Sequence, residues 1–303
     1  MDLAAAKRAT ATTVSVCLPA RDEERTIESI VREVSRSGLA DEIVVVDDGS
    51  TDRTAEVARA AGARVVAESD LIPESGPGTG KGNVLWKSLH ACQGDVICWL
   101  DADLRNFRAE YVGRLLEPLL SRPEVVLVKA CYERSFEGAP TGGGRVTELV
   151  ARPLISLLFP KLATVVQPLG GEYAGRREAL EVLPFVQGWG VELALLVDVV
   201  ERFGHDAVAQ VDLGVREHRN RPLDELAPQA LAIIVTALRR SGMLESHHAL
   251  VELLRPRLGD TDGIAVDATA VEVRERPPIV TIPAYRARRR APSAQPPPPP
   301  PPG

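Results

Sequence analysis

The sequence predicts an α/β fold with a doubly wound parallel sheet, and three observations carry that prediction. Short apolar runs of strand length, Val14–Leu18, Glu42–Asp47 and Arg64–Ala67, alternate with segments of helical periodicity. A further run, Val96–Leu100, is apolar throughout, as strands covered on both faces are. It ends in Asp101–Ala102–Asp103. Residues i and i+2 of an extended chain point the same way, so both carboxylates serve one site at the strand's carboxyl end, where open α/β sheets bind ligands. Two hard oxygen donors so close suit Mg²⁺ or Mn²⁺ carrying a diphosphate. An isolated Asp-x-Asp is more often a pair of solvated loop aspartates, so the reading depends on what else reaches that end of the sheet.

Composition narrows the classes. The 303 residues carry 36 Lys and Arg against 42 Asp and Glu, a net charge of −6 that gives no support for a nucleic-acid partner. With 45% hydrophobic and 26% charged residues, the chain has enough apolar content for a large core. Cys17, Cys92, Cys98 and Cys131 form no Cys-x-x-Cys and read as free thiols in a reducing cytosol. The N-terminus lacks an apolar core of signal-peptide length. The most apolar long stretch, Pro153–Leu169, is broken by Pro160, Lys161 and Pro168 and is unsuited to a membrane span. A cytoplasmic protein is expected.

The elements follow in order. After Val14–Leu18 comes a loop, Pro19–Glu23, then a helix over Thr26–Ser37 with Ile27, Ile30, Val31 and Val34 on one face and Gly38 as its C-cap. Glu42–Asp47 runs into Asp48–Gly49–Ser50–Thr51–Asp52, and Ser50 is expected to N-cap a helix to Ala61. The Pro- and Gly-rich loop Glu68–Thr79 ends in Gly80–Lys81–Gly82, which opens a helix to about Cys92. Its glycines admit a phosphate close to the backbone, and Lys81 with the helix N-terminus adds positive potential. This is not a Walker A loop, because Ser75 stands at the first glycine and Gly82 follows Lys81.

A helix is expected from Ala109 to Leu120 and a strand over Val125–Lys129. Gly142–Gly143–Gly144–Arg145 then precedes a helix to Phe159 kinked near Pro153, forming a second anion cradle with Arg145 as a planar fork. A helix begins near Val191–Glu192, and Ala207–Val211 is a strand. Gly214–Pro222 is dense in polar groups, and His218, two residues past Arg216 at a strand end, becomes a plausible metal ligand. Asp224–Arg240 is an amphipathic helix and Leu250–Leu258 reads as a further helical piece. Thr269–Arg274 and Pro278–Ile282 read as short extended pieces suited to a subunit contact. The tail turns basic from Arg286 and then becomes poly-proline, without enzymatic content.

Asp101 and Asp103, Gly80–Lys81 and Pro19–Glu23 converge on the carboxyl ends of one sheet, as a nucleotide-diphosphate site requires. The first loop lacks the Gly-x-Gly-x-x-Gly of an NAD site. Pro-Ala-x-x-Glu after the first strand, Asp-Asp-Gly-Ser after the second and Asp-x-Asp after a later one resemble GT-A glycosyltransferases. The second half narrows this. Gly143–Leu154, Gln167–Leu169, Gly171–Ala174 and Leu213–Leu226 resemble the signature of the glucosyl-3-phosphoglycerate synthases, retaining enzymes of actinobacterial type. The resemblance spans most of residues 13–283, and Asp48 departs from it where Ser is expected.

That resemblance implies a GT-A, Rossmann-like sheet with a helical, acceptor-binding C-terminal half. It implies transfer of glucose from UDP-glucose to the 2-hydroxyl of 3-phosphoglycerate, with Mg²⁺ or Mn²⁺, in a homodimer. Carried over residue by residue, Pro19, Ala20, Glu23 and Asp48 surround the uridine, Lys81 and Asp101 contact the donor, and Glu192 orients its sugar. Gly144, Arg145, Thr147 and Asn220 hold the acceptor's phosphate and carboxylate, and Asp103 with His218 holds the metal. Lys81, Asp101 and Glu192 are the catalytic candidates. The expected divisions are an extension at 1–12, the nucleotide-sugar half at 13–140, the acceptor and metal half at 141–225, C-terminal helices and extended pieces at 226–286 and a Pro-rich tail at 287–303. Mannosyl transfer from GDP-mannose to the same acceptor is the alternative. A polyprenyl-phosphate transferase would want an apolar membrane-binding surface, and a scaffold with a dead site would have lost a metal ligand; neither is visible in the sequence.

Overall fold

The computed structural model describes residues 2–136, 139–142, 144–216, 222–245, 248–258 and 264–290. The chain opens with α1 (Leu3–Ala9), β1 (Val14–Ala20), α2 (Ile27–Ser37), β2 (Glu42–Asp47), α3 (Thr54–Ala60), β3 (Arg64–Ala67), α4 (Lys81–Ala91), β4 (Val96–Trp99) and α5 (Glu110–Ser121). It continues with β5 (Leu127–Phe136), β6 (Ala139–Gly142), a π-helical turn at Thr147–Ala151, α6 (Arg152–Leu158), β7 (Tyr173–Arg176), α7 (Arg177–Leu180), β8 (Phe185–Val186) and α8 (Val191–Phe203). Last come β9 (Val208–Arg216), α9 (Leu223–Arg240), β10 (Leu250–Leu258), β11 (Ile264–Glu272), β12 (Glu275–Arg276) and α10 (Pro283–Arg290).

Among the described residues an eight-stranded sheet runs in the order β3-β2-β1-β4-β7-β5-β6, with β9 also pairing β5. Strands β3, β2, β1 and β4 are parallel, as expected; β7 is antiparallel to both β4 and β5, so the sheet is mixed. Strands from 173–176 and 208–216 thus join the sheet begun by the N-terminal residues. β4 sits centrally with Val96, Ile97, Cys98 and Trp99 all buried, which accounts for its unbroken apolar run. Each such side chain contributes about 1.5–3 kcal/mol of burial. Trp99 packs on Tyr173, with ring centroids 5.2 Å apart, and donates its indole N–H to Ser88 Oγ at 2.8 Å.

The structure corrects several expectations. Ser50 does not cap α3; the Asp52 carboxylate accepts from the Thr54 N–H and hydroxyl instead, while Ser50 Oγ accepts from Asp22 N. The break near Pro153 is the π turn that leads into α6, a common home for a kink. Leu250–Leu258 is a strand, not a helix, paired in register from Leu250↔Glu272 to Leu258↔Ile264. Its apolar residues satisfy helical spacing, but Pro256 lies mid-segment, where it costs a helix a donor and a clash; on a two-stranded ribbon it is tolerated. Thr269–Glu272 is extended as expected, within β11, whereas Ile279–Thr281 forms a 3₁₀ turn. Residues 286–290 belong to α10, not to the tail; residues 291–303 lie outside those described. Cys17, Cys92 and Cys98 are buried free thiols and Cys131 is half-buried.

One buried cation ties α10 to the turn between α4 and β4. The Arg177 guanidinium donates to Gly94 O at 2.6 Å, Leu89 O at 2.8 Å and Tyr285 Oη at 3.3 Å. Replacing it with methionine orphans two buried carbonyls, so Arg177→Met is expected to lower the unfolding free energy by about 2–4 kcal/mol in a urea titration. A loss below about 0.5 kcal/mol would contradict this role.

Candidate active site

The carboxyl ends of β1 and β4 open into a cleft of about 260 Å³. β1 supplies Pro19, the loop after it Arg21 and Glu23, and β4 the turn Asp101–Ala102–Asp103. The N-terminus of α4 brings Lys81, α8 brings Glu192, and Gly144–Thr147 with Leu226, Gln229 and Ile233 of α9 closes the far side.

Asp101 is the hub. Lys81 Nζ lies 2.6 Å from its Oδ1 and Arg216 Nη2 lies 2.8 Å from its Oδ2. The same Lys81 ammonium reaches Glu192 Oε1 at 2.9 Å, and the same Arg216 nitrogen reaches Asp103 Oδ1 at 3.2 Å and Glu172 Oε1 at 3.1 Å. Burial alone would raise the Asp101 carboxyl; the charges of Lys81 and Arg216 overcome it and hold the group well below the usual carboxylate range. Burial opposes the charge on Lys81 too, yet Asp101 and Glu192 push its ammonium well above the ordinary value, so it is a fixed cation. The two carboxylates expected on one face do share one partner, Arg216.

Tight backbone geometry makes the cluster possible. β4 and β7 pair antiparallel with Trp99 opposite Tyr173, so two residues further on Asp101 faces Gly171. A Cβ at Gly171 would lie 2.3 Å from both Asp101 carboxylate oxygens and 2.4 Å from Lys81 Nζ. Only glycine fits there. The loops around the cleft are stitched to one another. Thr26 Oγ1 donates to Ala102 O at 2.6 Å, Glu23 N to Thr54 Oγ1 at 2.7 Å and Thr51 N to Asp22 Oδ1 at 2.7 Å.

Of the sequence candidates, Pro19, Glu23, Lys81, Asp101, Asp103, Gly144, Arg145, Thr147 and Glu192 line this cleft. Ala20 is buried behind Pro19. Asp48 follows β2, its N–H donating to Ala20 O at 2.9 Å and its carboxylate 3.8 Å from Arg21. Asn220 and His218 lie outside the described residues, among which no three His, Cys, Asp or Glu side chains cluster as a metal site. Sequence reasoning gave no role to Arg216, Glu172 or Lys129. Arg216 enters the sequence only beside His218 and within Leu213–Leu226, and Glu172 only within Gly171–Ala174. Lys129, inside an apolar strand, donates to Gly170 O and stands 4.3 Å above the Tyr173 ring. A cation in a buried strand was the signal available for it; burial lowers it to about 8.

Glu23 carries the clearest titration. Burial, and then the charge of Asp103, push its carboxyl up to about 7. A carboxyl raised on folding contributes stability that is full below its unfolded value and is lost as pH rises through about 7. The melting temperature of Glu23→Gln, compared with wild type from pH 5 to 8, is therefore expected to gain relative to it as pH rises. Parallel curves would contradict the shift.

Residues 15–183 match glycosyl transferase family 2. The chain is 48% identical over 287 residues to glucosyl-3-phosphoglycerate synthase of Mycolicibacterium smegmatis, covering 93% of each chain. It is 44% identical over 286 residues to the Petrotoga mobilis enzyme of that name, covering 90% of this chain and 88% of the other. Its fold superposes on Mycobacterium tuberculosis glucosyl-3-phosphoglycerate synthase solved with Mn²⁺, UDP-glucose and phosphoglyceric acid, with a TM-score of 0.82, 45% identity and coverage of 92% and 94%. For the same enzyme solved with Mg²⁺ and UDP the TM-score is 0.83 at 46% identity, with the same coverage. On its sheet, its cleft and these relatives, the chain belongs to glycosyl transferase family 2 and, within that family, to the glucosyl-3-phosphoglycerate synthases.

Proposed function

We infer that this protein transfers glucose from UDP-glucose to the 2-hydroxyl of 3-phosphoglycerate, with retention at the anomeric carbon. The observation that carries the reading is the Lys81–Asp101–Arg216 cluster at the sheet's carboxyl end, facing the Gly144–Thr147 turn across one cleft. Cations set beside carboxylates suit a diphosphate, and a glycine turn with Arg145 suits an acceptor bearing phosphate and carboxylate. The family's enzymes solved with UDP-glucose and phosphoglyceric acid support both halves.

In this reading Pro19, Ala20, Glu23 and Asp48 surround the uridine, Lys81 and Asp101 hold the diphosphate and sugar, and Glu192 orients the sugar hydroxyls. Gly144, Arg145, Thr147 and Asn220 take the acceptor. The hard carboxylate oxygens that Asp101 and Asp103 converge on one cation, Arg216, fit a divalent ion of the Mg²⁺ or Mn²⁺ kind. Asp103 with His218 would hold it, and when bound it neutralises charge on the departing UDP. The acceptor's 2-hydroxyl oxygen bonds the anomeric carbon while the bond from that carbon to the phosphate oxygen breaks, and its electron pair leaves with UDP. The acceptor's proton passes to the departing phosphate oxygen on the same face. Lys81 and Arg216 are fixed before reaction and stabilise the charge that develops there. A reducing cytoplasm suits the four unpaired cysteines.

The test is nucleotide release with Mg²⁺ and 3-phosphoglycerate. UDP-glucose is expected to release UDP only when acceptor is present, Asp103→Ala is expected to abolish release, and Glu192→Gln is expected to slow it about a hundredfold. GDP release from GDP-mannose instead would move the chain to mannosyl transfer, and an undiminished rate in Glu192→Gln would remove that residue from any essential role.

We further propose that this enzyme is a homodimer through the β10–β11 hairpin. One hairpin face, with Val251 and Leu253, packs on Ala232 and Val235 of α9. The other presents Leu250, Leu254, Ile264 and Val266, 51–77% exposed, on residues that alternate with the packed ones. Sedimentation of the double variant Leu254→Glu/Ile264→Glu is expected to give monomer where wild type gives dimer; a monomeric wild type at micromolar concentration would overturn the assignment.

A further inference from the structure

The loop that delivers Lys81 is held by a segment far away in sequence. β12 pairs antiparallel with β8, with Glu275 opposite Val186 and Arg276 opposite Phe185. Arg276 is 6% exposed, and its guanidinium reaches three acceptors. Its Nη1 donates to Ser75 O at 2.6 Å, its Nη2 to Gly76 O at 3.1 Å and its Nε to Asn83 Oδ1 at 2.9 Å. Its Cζ lies 5.2 Å from the Trp86 ring centroid, and Trp86 Nε1 donates to Pro277 O at 2.7 Å.

These contacts bracket Lys81. Ser75 and Gly76 lie in the Pro- and Gly-rich loop before it, and Asn83 and Trp86 lie on α4 after it. The same strand pair contributes a second clamp. Gln187, which follows β8 and donates its N–H to Arg274 O, accepts from Thr79 N through Oε1 at 3.2 Å and from Asn83 N through its carbonyl at 3.0 Å. The approach is close: a Cβ at Gly78 would lie 2.1 Å from Asn83 Oδ1 and 2.3 Å from Arg276 Nη2. Asn83 Nδ2 passes the connection to Glu68 Oε1 at 2.5 Å, and Lys87 Nζ meets that oxygen at 2.7 Å. Asn83, Glu68 and Lys87 therefore form one polar chain running from Arg276 along the inner edge of the loop.

We propose that Arg276 is a positioning residue for the donor subsite. It acts through the Ser75–Thr79 loop and the first turn of α4, and sets Lys81 at the place a nucleotide diphosphate-sugar occupies. The proposal rests on the donor reading above. Five donor N–H groups in a planar fork suit this task, because one side chain can fix two successive loop carbonyls and a helix residue together. Loss of that fork leaves a glycine-rich loop free to sample other conformations, so Lys81 spends less time in place and donor affinity falls before chemistry does.

The experiment compares wild type with Arg276→Met, Arg276→Lys and Gly78→Ala. Gly78→Ala keeps the arginine and displaces it from Asn83, so a folding failure of one variant leaves the other informative. Amide exchange of the ligand-free protein is expected to quicken about tenfold over residues 75–82 in Arg276→Met, with α2 unchanged. The KM for UDP-glucose is expected to rise about tenfold, with the KM for 3-phosphoglycerate unchanged and kcat falling less than about threefold; Arg276→Lys, with a single reachable donor, falls between. Quickened exchange with an unchanged donor KM would overturn the proposal. So would a uniform rise in exchange across the fold with only the active fraction reduced, which is the signature of a merely structural arginine. If wild type fails to turn over UDP-glucose, the transfer reading fails instead. The proposal is then judged on calorimetric UDP binding with Mn²⁺, where Arg276→Met weakens affinity about tenfold or overturns it.

Discussion

The Asp101 carboxylate lies between two cations, Lys81 at 2.6 Å and Arg216 at 2.8 Å, and the rest of the site is arranged to keep it there. A half-buried carboxylate such as this one is costly unless its oxygens are paired. Each cation is shared in turn, Lys81 with Glu192 and Arg216 with Asp103 and Glu172. Removing either cation strips a counter-charge from two or more carboxylates at once, so no single charge can leave cheaply. In the proposed transfer, that is the preorganisation a departing diphosphate requires: positive charge already oriented before the bond breaks.

Sheet topology delivers this arrangement. Parallel β1 and β4 pair up to Cys17 with Trp99, and the same register carried two residues on puts Pro19 beside Asp101. Antiparallel β7 enters next to β4, with Gly171 against the same carboxylate and Glu172 against Arg216, and β9 ends with Arg216 over the Tyr132 ring at 5.3 Å. The family match covers 15–183, yet β9, α8, α9 and β12 lie wholly beyond it and supply Arg216, Glu192, a cleft wall and the strap beneath Lys81. The part within the match pairs Asp101 with Lys81 alone; Arg216 and Glu192 come from the segments beyond it.

Local chemistry was legible where it was periodic. The apolar run of Val96–Leu100, the helical face of Ile27, Ile30, Val31 and Val34, and Gly38 at φ +66° as a left-handed cap all follow from short-range rules. Grouping Asp101, Lys81 and Pro19 at one end of the sheet followed from topology. What stayed hidden depends on pairing between distant segments. Leu250–Leu258 satisfies helical spacing and becomes a strand because Ile264–Glu272 is there to pair with it. Arg216, Glu172 and Arg276 gained their meaning only when β9, β7 and β12 were placed, since nothing local marks an arginine that serves a carboxylate 115 residues away. Ser50 and Asp52 are equal caps by type, but Asp52 is nearer the first N–H groups of α3.

The most direct test of the shared carboxylate is a double-mutant cycle on Lys81→Met and Asp101→Asn, read as kcat/KM for UDP-glucose with acceptor saturating. Each single variant is expected to lose activity steeply. The double variant is expected to be no worse than the poorer single by more than about threefold, a coupling above about 1.5 kcal/mol, because the second change removes a partner the first has already stranded. Losses that multiply independently would contradict the claim that the two side chains work as one unit.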